Sequence, residues 1–409
     1  MTKHEVLRKY WGYDDFRPRQ AEIIDSVLAG RDTLGLLPTG GGKSLTFQVP
    51  ALMLPGLTVV VTPLISLMKD QVDNLAARGI RAALFHSGMT PRERELSMTR
   101  CRLGKAKIAY VSPERLQNEM FLTELRTLQV SLLVVDEAHC ISQWGYDFRP
   151  SYLRLRRLRQ LIGEQVPVLA LTASATPEVT ADIMDRLGFR APNVLARSFR
   201  RDNLSYIVRY SDNKEEMLLR VLRATSGSSI VYVRSRRRTL ELSRLLDQSG
   251  IPALAYHAGL DSRDKDERQD LWKAGSVRVM VATNAFGMGI DKPDVRLVIH
   301  FDLPSSLEEY YQEAGRGGRD GLESLAVIIA NARDKATLAR RVAESFPSKE
   351  FLAHVYEMAG NYLEVAVGSG YGHTYEFNFS EFCDRFHLPP PATDSALRLL
   401  SRSRYLDYV

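Results

Sequence analysis

The sequence predicts an α/β protein of two tandem doubly wound parallel-sheet domains followed by a small helical domain. Three observations predict it. Short apolar, β-branched runs recur along most of the chain, separated by stretches with helical spacing, and continuous apolar strands belong in sheets buried on both faces. In the first half each run ends in a polar cluster, as expected where chemistry gathers at the carboxyl ends of parallel strands. The alternation is interrupted by a polar stretch at 195–204 and stops near Asn331, which divides the 409 residues into domains at 1–197, 198–340 and 341–409.

Composition bounds the function. The 44% hydrophobic and 25% charged content is that of an ordinary globular protein. No apolar run is long enough to span a bilayer, and the N-terminal residues Met1-Thr2-Lys3-His4-Glu5 lack the apolar core of an export signal. Three cysteines, Cys101, Cys140 and Cys383, lie far apart. They supply neither a disulfide framework nor a zinc spacing and suit a reducing compartment. The net charge of +6 points mildly to nucleic acid, whose phosphates need Lys and Arg; an ordinary basic enzyme would carry the same charge.

Taken in order, Leu7 to Gly30 reads as helical, with apolar spacing through Ile23, Ile24, Val27 and Leu28. It contains Tyr13-Asp14-Asp15-Phe16-Arg17-Pro18-Arg19-Gln20. The Gln20 amide suits both hydrogen-bonding edges of adenine, and Tyr13 and Arg17 could stack on the base; a solvated helix start fits as well. The first strand, Thr33 to Leu37, leads into Pro38-Thr39-Gly40-Gly41-Gly42-Lys43-Ser44 and a helix from Leu45. Strand, glycine loop and helix make a phosphate cradle: the glycines let backbone N–H groups converge on an anion, and the helix adds its positive end. Lys43 would reach the β- and γ-phosphates and the Ser44 hydroxyl a magnesium ion. Leu37 stands where the full pattern G-x-x-x-x-G-K-[ST] has glycine.

Further strands are expected at Leu57–Thr62, Ile108–Val111, Leu132–Val135 and Val168–Thr172. Asp136 and Glu137 follow the third of these directly. Two carboxylates at the tip of a buried strand are costly unless they meet a cation or water. Beside a phosphate loop, Asp136 would hold magnesium and Glu137 would orient the attacking water and take its proton. His139, three residues beyond Asp136, could sense the γ-phosphate, although a lone histidine is more often structural. Next, Trp144, Tyr146 and Phe148 are interleaved with Arg149. Such a loop stacks on unpaired bases and holds phosphate, or closes a small aromatic core.

In these residues the chain resembles the RecQ family of superfamily 2 DNA helicases. The motifs that carry the resemblance are Phe16-Arg17-Pro18-Arg19-Gln20, the glycine loop through Lys43-Ser44, Pro63-Leu64-Ile65-Ser66-Leu67-Met68-Lys69-Asp70-Gln71, and Asp136-Glu137-Ala138-His139 with its aromatic loop. The resemblance accommodates Leu37, but Arg19 stands where glycine is usual. It implies two RecA-like domains, ATP and magnesium as cofactors, and single-stranded DNA and strand junctions as partners. It assigns Trp144 and Phe148 to coupling strand contact to hydrolysis, and Arg149, Ser66, Lys69 and Arg115 to the strand itself.

The second domain repeats the alternation at Ser229–Val233, Ala253–His257, Val277–Thr283, Val295–His300 and Ala326–Ile329, with no second phosphate loop. Gln312, Arg316 and Arg319 fall at helical intervals, so they would share one helix face if Gly315 and Gly317 permit helix. In the family the arginines face the γ-phosphate. Asp291, in Ala282 to Asp291, would link the nucleotide to the strand. Arg234, His257 and Asn284 fall in segments resembling those that grip its backbone, although Arg236, Arg237 and Arg238 read equally as a solvated helix start.

The last domain offers only Cys383 where many family members place four cysteines, so no structural zinc is expected. Phe379–Phe386, Leu388–Pro391, Thr393–Leu400 and Tyr405–Val409 read as helix, turn, helix and strand, a winged-helix-like order with Ala396, Leu397 and Leu400 inward; a generic helical cap is the alternative. The sequence stops within an element, leaving room for a wing beyond Val409. The expected protein is therefore a monomeric, cytoplasmic, bacterial-type, nucleoid-associated 3′→5′ DNA helicase of repair or recombination. The alternatives are an RNA helicase and an ATP-gated DNA clamp or annealing factor.

Overall fold

Short runs of Val, Leu, Ile and Ala cannot be half-buried amphipathic elements; they need cover on both faces, and the chain provides it twice. The computed structural model describes residues 1–142, 148–173, 175–286, 292–366 and 368–408. These residues fall into two compact units, one formed by 1–209 and 215–329, the other by 210–214 and 330–409.

The first unit holds two sheets. In the first sheet the strands are β1 (Thr33–Leu36), β2 (Leu57–Val61), β3 (Ala82–Phe85), β4 (Ile108–Val111), β5 (Val130–Val135), β6 (Val168–Thr172) and β7 (Val194–Ala196). Their order is β3-β4-β2-β5-β6-β1-β7, and every neighbouring pair is parallel. One face packs Val59, Val61, Val111, Leu133 and Val135 in a single cluster; the other packs Val60, Ile108, Leu132 and Val134. The second sheet comprises β8 (Leu204–Tyr210), β9 (Ser228–Tyr232), β10 (Ala253–Tyr256), β11 (Val279–Ala282), β12 (Val295–His300) and β13 (Ser324–Ala330), in the order β10-β11-β9-β12-β13-β8. Its two faces are likewise covered, around Val231, Val281 and Leu297 on one side and Ile230, Met280 and Trp272 on the other.

β1 is held by a buried charge. Asp32 precedes it and accepts hydrogen bonds from Arg159 Nη2 at 2.7 Å, Arg190 Nη2 at 3.0 Å and the Val168 backbone N–H at 3.0 Å. One carboxylate thereby ties the entrance of β1 to that of β6. The fit across the same strand is close: a Cβ on Gly35 would stand 2.8 Å from Leu171 Cδ2.

Three expectations need correction. Residues 7–30 are not one helix. A helix at Lys3–Trp11 ends on Gly12 at φ 73°, and another begins at Gln20; glycine terminates the first through its left-handed conformation. β3, β7 and β8 were not foreseen. β7 is short, and β8 is largely exposed, so neither carries a continuous apolar signal.

The second unit holds four helices, Ala332–Ser345, Lys349–Tyr362, Phe379–Arg385 and Pro390–Arg402, of which the last three supply its core around Val355, Phe382, Ala396, Leu397 and Leu400. The strand expected at 405–409 is absent from 405–408. Tyr408 folds back instead, its backbone N–H donating to Ser401 Oγ at 3.3 Å and its hydroxyl to Asp394 Oδ1 at 3.4 Å, so this segment caps a helix and pairs with no sheet. Cys383 is buried as a free thiol. No described helix is long and apolar enough to cross a membrane.

Candidate nucleotide and nucleic-acid site

The end of β1 sets the centre of the site. Leu37 N–H still bonds Thr172 O at 3.1 Å; the chain then turns through Gly40 at φ 76° and Gly42 at φ 75°. Both angles are left-handed and strain any residue with a Cβ. Space is short as well, so a neighbouring side chain would have to move aside. A Cβ on Gly42 would lie 2.3 Å from Gln20 Nε2, and one on Gly40 3.0 Å from Arg319 Cγ. Ser44 occupies the N-cap of helix Leu45–Met53 without a side-chain capping bond, which leaves its hydroxyl suited to a cation.

Lys43 Nζ lies 3.1 Å from Glu137 Oε1. Burial works against the Lys43 charge, but Glu137 and Asp136 outweigh it and hold the ammonium above its ordinary range. Burial pushes the Asp136 carboxyl up to about 6, opposed by Lys43 and reinforced by Glu137. Glu137 is held below the usual range: burial opposes its charge, and Lys43, His139 and Arg316 favour it. Glu137 also has φ 48°, a strained conformation for a glutamate. It turns the side chain to Lys43 and leaves Oε2 buried without a hydrogen-bond partner. His139 is buried, with Nδ1 2.9 Å from Thr172 Oγ1 and 3.4 Å from Glu137 Oε2. The glycine cradle, the uncapped Ser44 and the orphaned Glu137 oxygen fit a nucleoside triphosphate with a divalent cation. Among the described residues no group of three or more His, Cys, Asp or Glu side chains could hold a metal ion by itself.

Arg17 and Gln20 reach this loop. Gln20 Nε2 donates to Gly41 O at 3.2 Å and Gly42 O at 2.9 Å, its Oε1 accepts from Arg17 N–H at 2.9 Å, and Arg17 Nη1 donates to Gly40 O at 2.6 Å. Tyr13 stands apart, 55% exposed. Arg19 has φ 71°, a physical reason for glycine to be usual at its position.

The second sheet also meets the loop. Helix Leu307–Ala314 carries Gln312 and ends at Gly315, so Gln312, Arg316 and Arg319 do not share one helix face. Gly318 at φ 58° breaks the helical path, and a Cβ there would strike Asn203 Nδ2 at 2.5 Å. The arginines nevertheless come to the loop in turns: Arg319 lays its stem on Gly40, and Arg316 lies within electrostatic reach of Glu137. Sequence reasoning missed Arg201, which donates to the carbonyls of Thr39, Gly315, Gly317 and Gly318. It sits among other arginines in a polar stretch, so no local signal distinguishes it.

The candidate strand-binding residues form separate groups. Ser66 and Lys69 are exposed on helix Ile65–Ala77. Arg115 lies over the Phe121 ring at 5.4 Å, beside Arg94, a neighbour the sequence did not suggest. His257 is buried near Arg236, Arg268 and Lys265; burial and these charges hold its imidazole below its ordinary range. Asn284 is exposed. Arg234 is engaged internally, its guanidinium donating to both Glu309 oxygens at 3.0 and 2.9 Å. Arg237 and Arg238 pair with Glu241. Phe148 is half-buried, and Arg149 Nη1 donates to Pro63 O at 3.4 Å. A few residues on, Tyr152 OH donates to Asp136 O at 3.1 Å, so the segment after the aromatic loop touches the carboxylate strand directly. Trp144 and Asp291 lie outside the described residues.

Two covered parallel sheets, a glycine phosphate loop on the first and paired arginines from the second define the two-lobed core of a superfamily 2 helicase. Residues 17–183 match the DEAD/DEAH box helicase family and residues 213–321 the helicase conserved C-terminal domain. The chain is 42% identical to the ATP-dependent DNA helicase RecQ of Pasteurella multocida over 366 residues, covering 89% of this chain and 58% of that protein. It is 42% identical to RecQ of Synechocystis over 325 residues, covering 77% and 68%. The chain belongs to the RecQ family of ATP-dependent DNA helicases. It spans 58%, 59% and 56% of the RecQ proteins of P. multocida, Haemophilus influenzae and Bacillus subtilis. Among solved structures, Mycobacterium smegmatis helicase Lhr bound to ssDNA and AMP-PNP is similar with a TM-score of 0.65 at 23% identity, over 97% of this chain and 57% of that one. Helicase MrfA bound to DNA gives 0.68 at 20%, over 83% and 52%. At these identities the likeness concerns the fold.

Proposed function

We propose that this chain hydrolyses ATP to move 3′→5′ along single-stranded DNA and separate the duplex ahead of it, in repair or recombination. The observation that carries the reading is the meeting of Lys43 and Glu137 at 3.1 Å on a phosphate loop that Arg319 also touches. ATP is the substrate. Magnesium would be held by Ser44 and Asp136 and would supply positive charge to offset that of the phosphates. Lys43 neutralises the terminal phosphates. Glu137, ionised and with Oε2 uncommitted, orients the attacking water and takes its proton. Arg316 and Arg319 offset the negative charge of the transferring group. Gln20 spends its amide on Gly41 and Gly42 carbonyls, so reading adenine means exchanging those two bonds.

The functional division we propose is 1–197, 198–340 and 341–409, the last acting as a winged-helix-like platform without a strand at 405–408. DNA enters as a single strand or a strand junction, across Lys69, Arg115, His257 and the aromatic segment. Separating a base-pair step costs about 1.4 kcal/mol, a small demand on ATP hydrolysis. We further propose a monomer that needs no zinc and works in the bacterial cytoplasm on the nucleoid. Strand displacement measured beside ATP turnover, on DNA and RNA duplexes with 3′ or 5′ overhangs, tests the reading. Unwinding of 3′-tailed DNA is expected. ATP turnover without displacement would make the chain a clamp or annealing factor, and a preference for RNA would overturn the DNA assignment.

A further inference from the structure

The stretch 197–203 joins β7 of the first sheet to β8 of the second. In it Arg201 is anchored unlike its neighbours. Its Nε donates to Asn203 Oδ1 at 3.2 Å, Nη1 to Thr39 O at 3.3 Å and Gly315 O at 3.4 Å, and Nη2 to Gly317 O at 2.9 Å and Gly318 O at 2.7 Å. Among the described residues it has no carboxylate partner within ion-pair distance. Four of its five acceptors are main-chain carbonyls, one on the phosphate loop and three on the turn that carries Arg316 and Arg319. The fork of a guanidinium can span such a set; a lysine ammonium, a point donor, cannot. The surroundings fix the connector on the same turn and on the helix that precedes it. Tyr311 OH donates to Phe199 O at 2.5 Å, and Asn203 Nδ2 to Gly318 O at 2.8 Å. Gly315 and Thr39 are also packed against each other, since a Cβ on Gly315 would lie 3.2 Å from Thr39 Cβ.

We propose that Arg201 is a positioning residue for ATP hydrolysis: it holds the Arg316–Arg319 turn in register with the phosphate loop and ties that register to the connector between the sheets. The contacts are unequal. Those to Gly317 and Gly318, at 2.9 and 2.7 Å, are short, and those to Thr39 and Gly315, at 3.3 and 3.4 Å, are long, so both short bonds lie on the turn and none on the loop. When the sheets separate, Arg201 stays with the arginine turn and releases the loop; when they close, it re-forms the bond to Thr39 and delivers the arginines in place. It touches no reacting atom. Its effect passes through the placement of Arg316 and Arg319, and displacing such groups by about 1 Å costs on the order of 10²-fold in rate.

This inference rests on the proposed hydrolysis of ATP at the loop. The test compares the full chain with Arg201→Lys and Arg201→Ala for ATP turnover with saturating single-stranded DNA, KM for ATP, single-strand affinity and melting temperature. Both variants are expected to lose on the order of 10²-fold in kcat, with kcat/KM falling in parallel, as for an interaction made only in the transition state. Melting temperature and DNA affinity should hold. Ethylguanidinium added to Arg201→Ala should restore part of kcat, as it would not for a variant that has lost structure. Wild-type kcat in both variants, loss of turnover together with melting temperature, or no rescue overturns the proposal. If the unmodified chain hydrolyses no ATP, the functional reading falls and this inference with it.

Discussion

Glu137 shows how much one residue can be made to bear. Its φ of 48° costs of order 1–3 kcal/mol, met by the surrounding β5, Lys43 and His139 contacts. Glu137→Gln keeps the shape and the Asp136 site but removes the proton acceptor. It should bind ATP normally and hydrolyse it about 10²-fold or more slowly, which nucleotide titration beside single-turnover hydrolysis would measure; turnover within a few-fold of the parent would exclude Glu137 as the base. Lys43→Ala should abolish hydrolysis and leave single-strand binding measurable by anisotropy, because the DNA candidates Lys69, Arg115 and His257 lie elsewhere. The closeness of Lys43 and Glu137 was legible in the sequence because each follows a strand of one parallel sheet, and such strands all end on the same edge, here with only β6 between β1 and β5. Arg201 was not, because four of its five partners are the carbonyls of Thr39, Gly315, Gly317 and Gly318, and carbonyls leave no trace in residue identity.

Among elements, β1 depends on Asp32, which no motif marks. Burial pushes the Asp32 carboxyl up, but hydrogen bonds from Arg190, Arg159 and Val168 hold it below its ordinary range. A folded-state pKa below the unfolded one stabilises the protein fully above the unfolded value near 3.9, and that contribution is lost as pH falls through the folded value. Asp32→Asn should therefore lower stability at neutral pH by about 3–5 kcal/mol, having left Arg159 buried without its counter-charge. The difference from the parent should shrink as pH falls below 4. Urea titrations across pH would measure both, and a constant difference at every pH would refute the linkage. Strands with continuous apolar runs, such as Leu57–Val61 and Val168–Thr172, could be read directly. β7 and β8 could not, since their exposed residues carry no inward-outward contrast. The break at Gly12 was hidden because apolar spacing continues on both sides of it.

On the scale of the whole molecule, Arg149 on Pro63 O and Tyr152 on Asp136 O give the aromatic segment a short path to the carboxylates. Phe148→Ala should keep basal ATP turnover, since Phe148 is outside the phosphate cradle. It should keep much of the DNA affinity, which phosphate contacts dominate. It should lose most of the stimulation by DNA and of the unwinding. A variant with full stimulation would refute the coupling, and one that lost basal activity and about 3–5 kcal/mol of stability together would make Phe148 a packing residue.

The position of β1 in its sheet sets an order of events during synthesis. Thr33 pairs with Leu169, and Leu34 with Val194, so the strand that launches the phosphate loop leaves the ribosome with neither neighbour yet made. At about 5–20 residues per second, both its edges wait roughly 8–30 s for partners, while β2, β3 and β4 can already pair. The nucleotide cradle, encoded near the start of the chain, is thus among the last parts of its lobe to become rigid. Nascent chains stalled short of residue 194 should fail to retain ATP, whereas chains stalled far enough on to expose β7 should hold it, and filter binding on the two would separate them. The same delay leaves a bare, apolar strand edge in the growing chain, which makes the first lobe the half that aggregates when synthesis outruns folding.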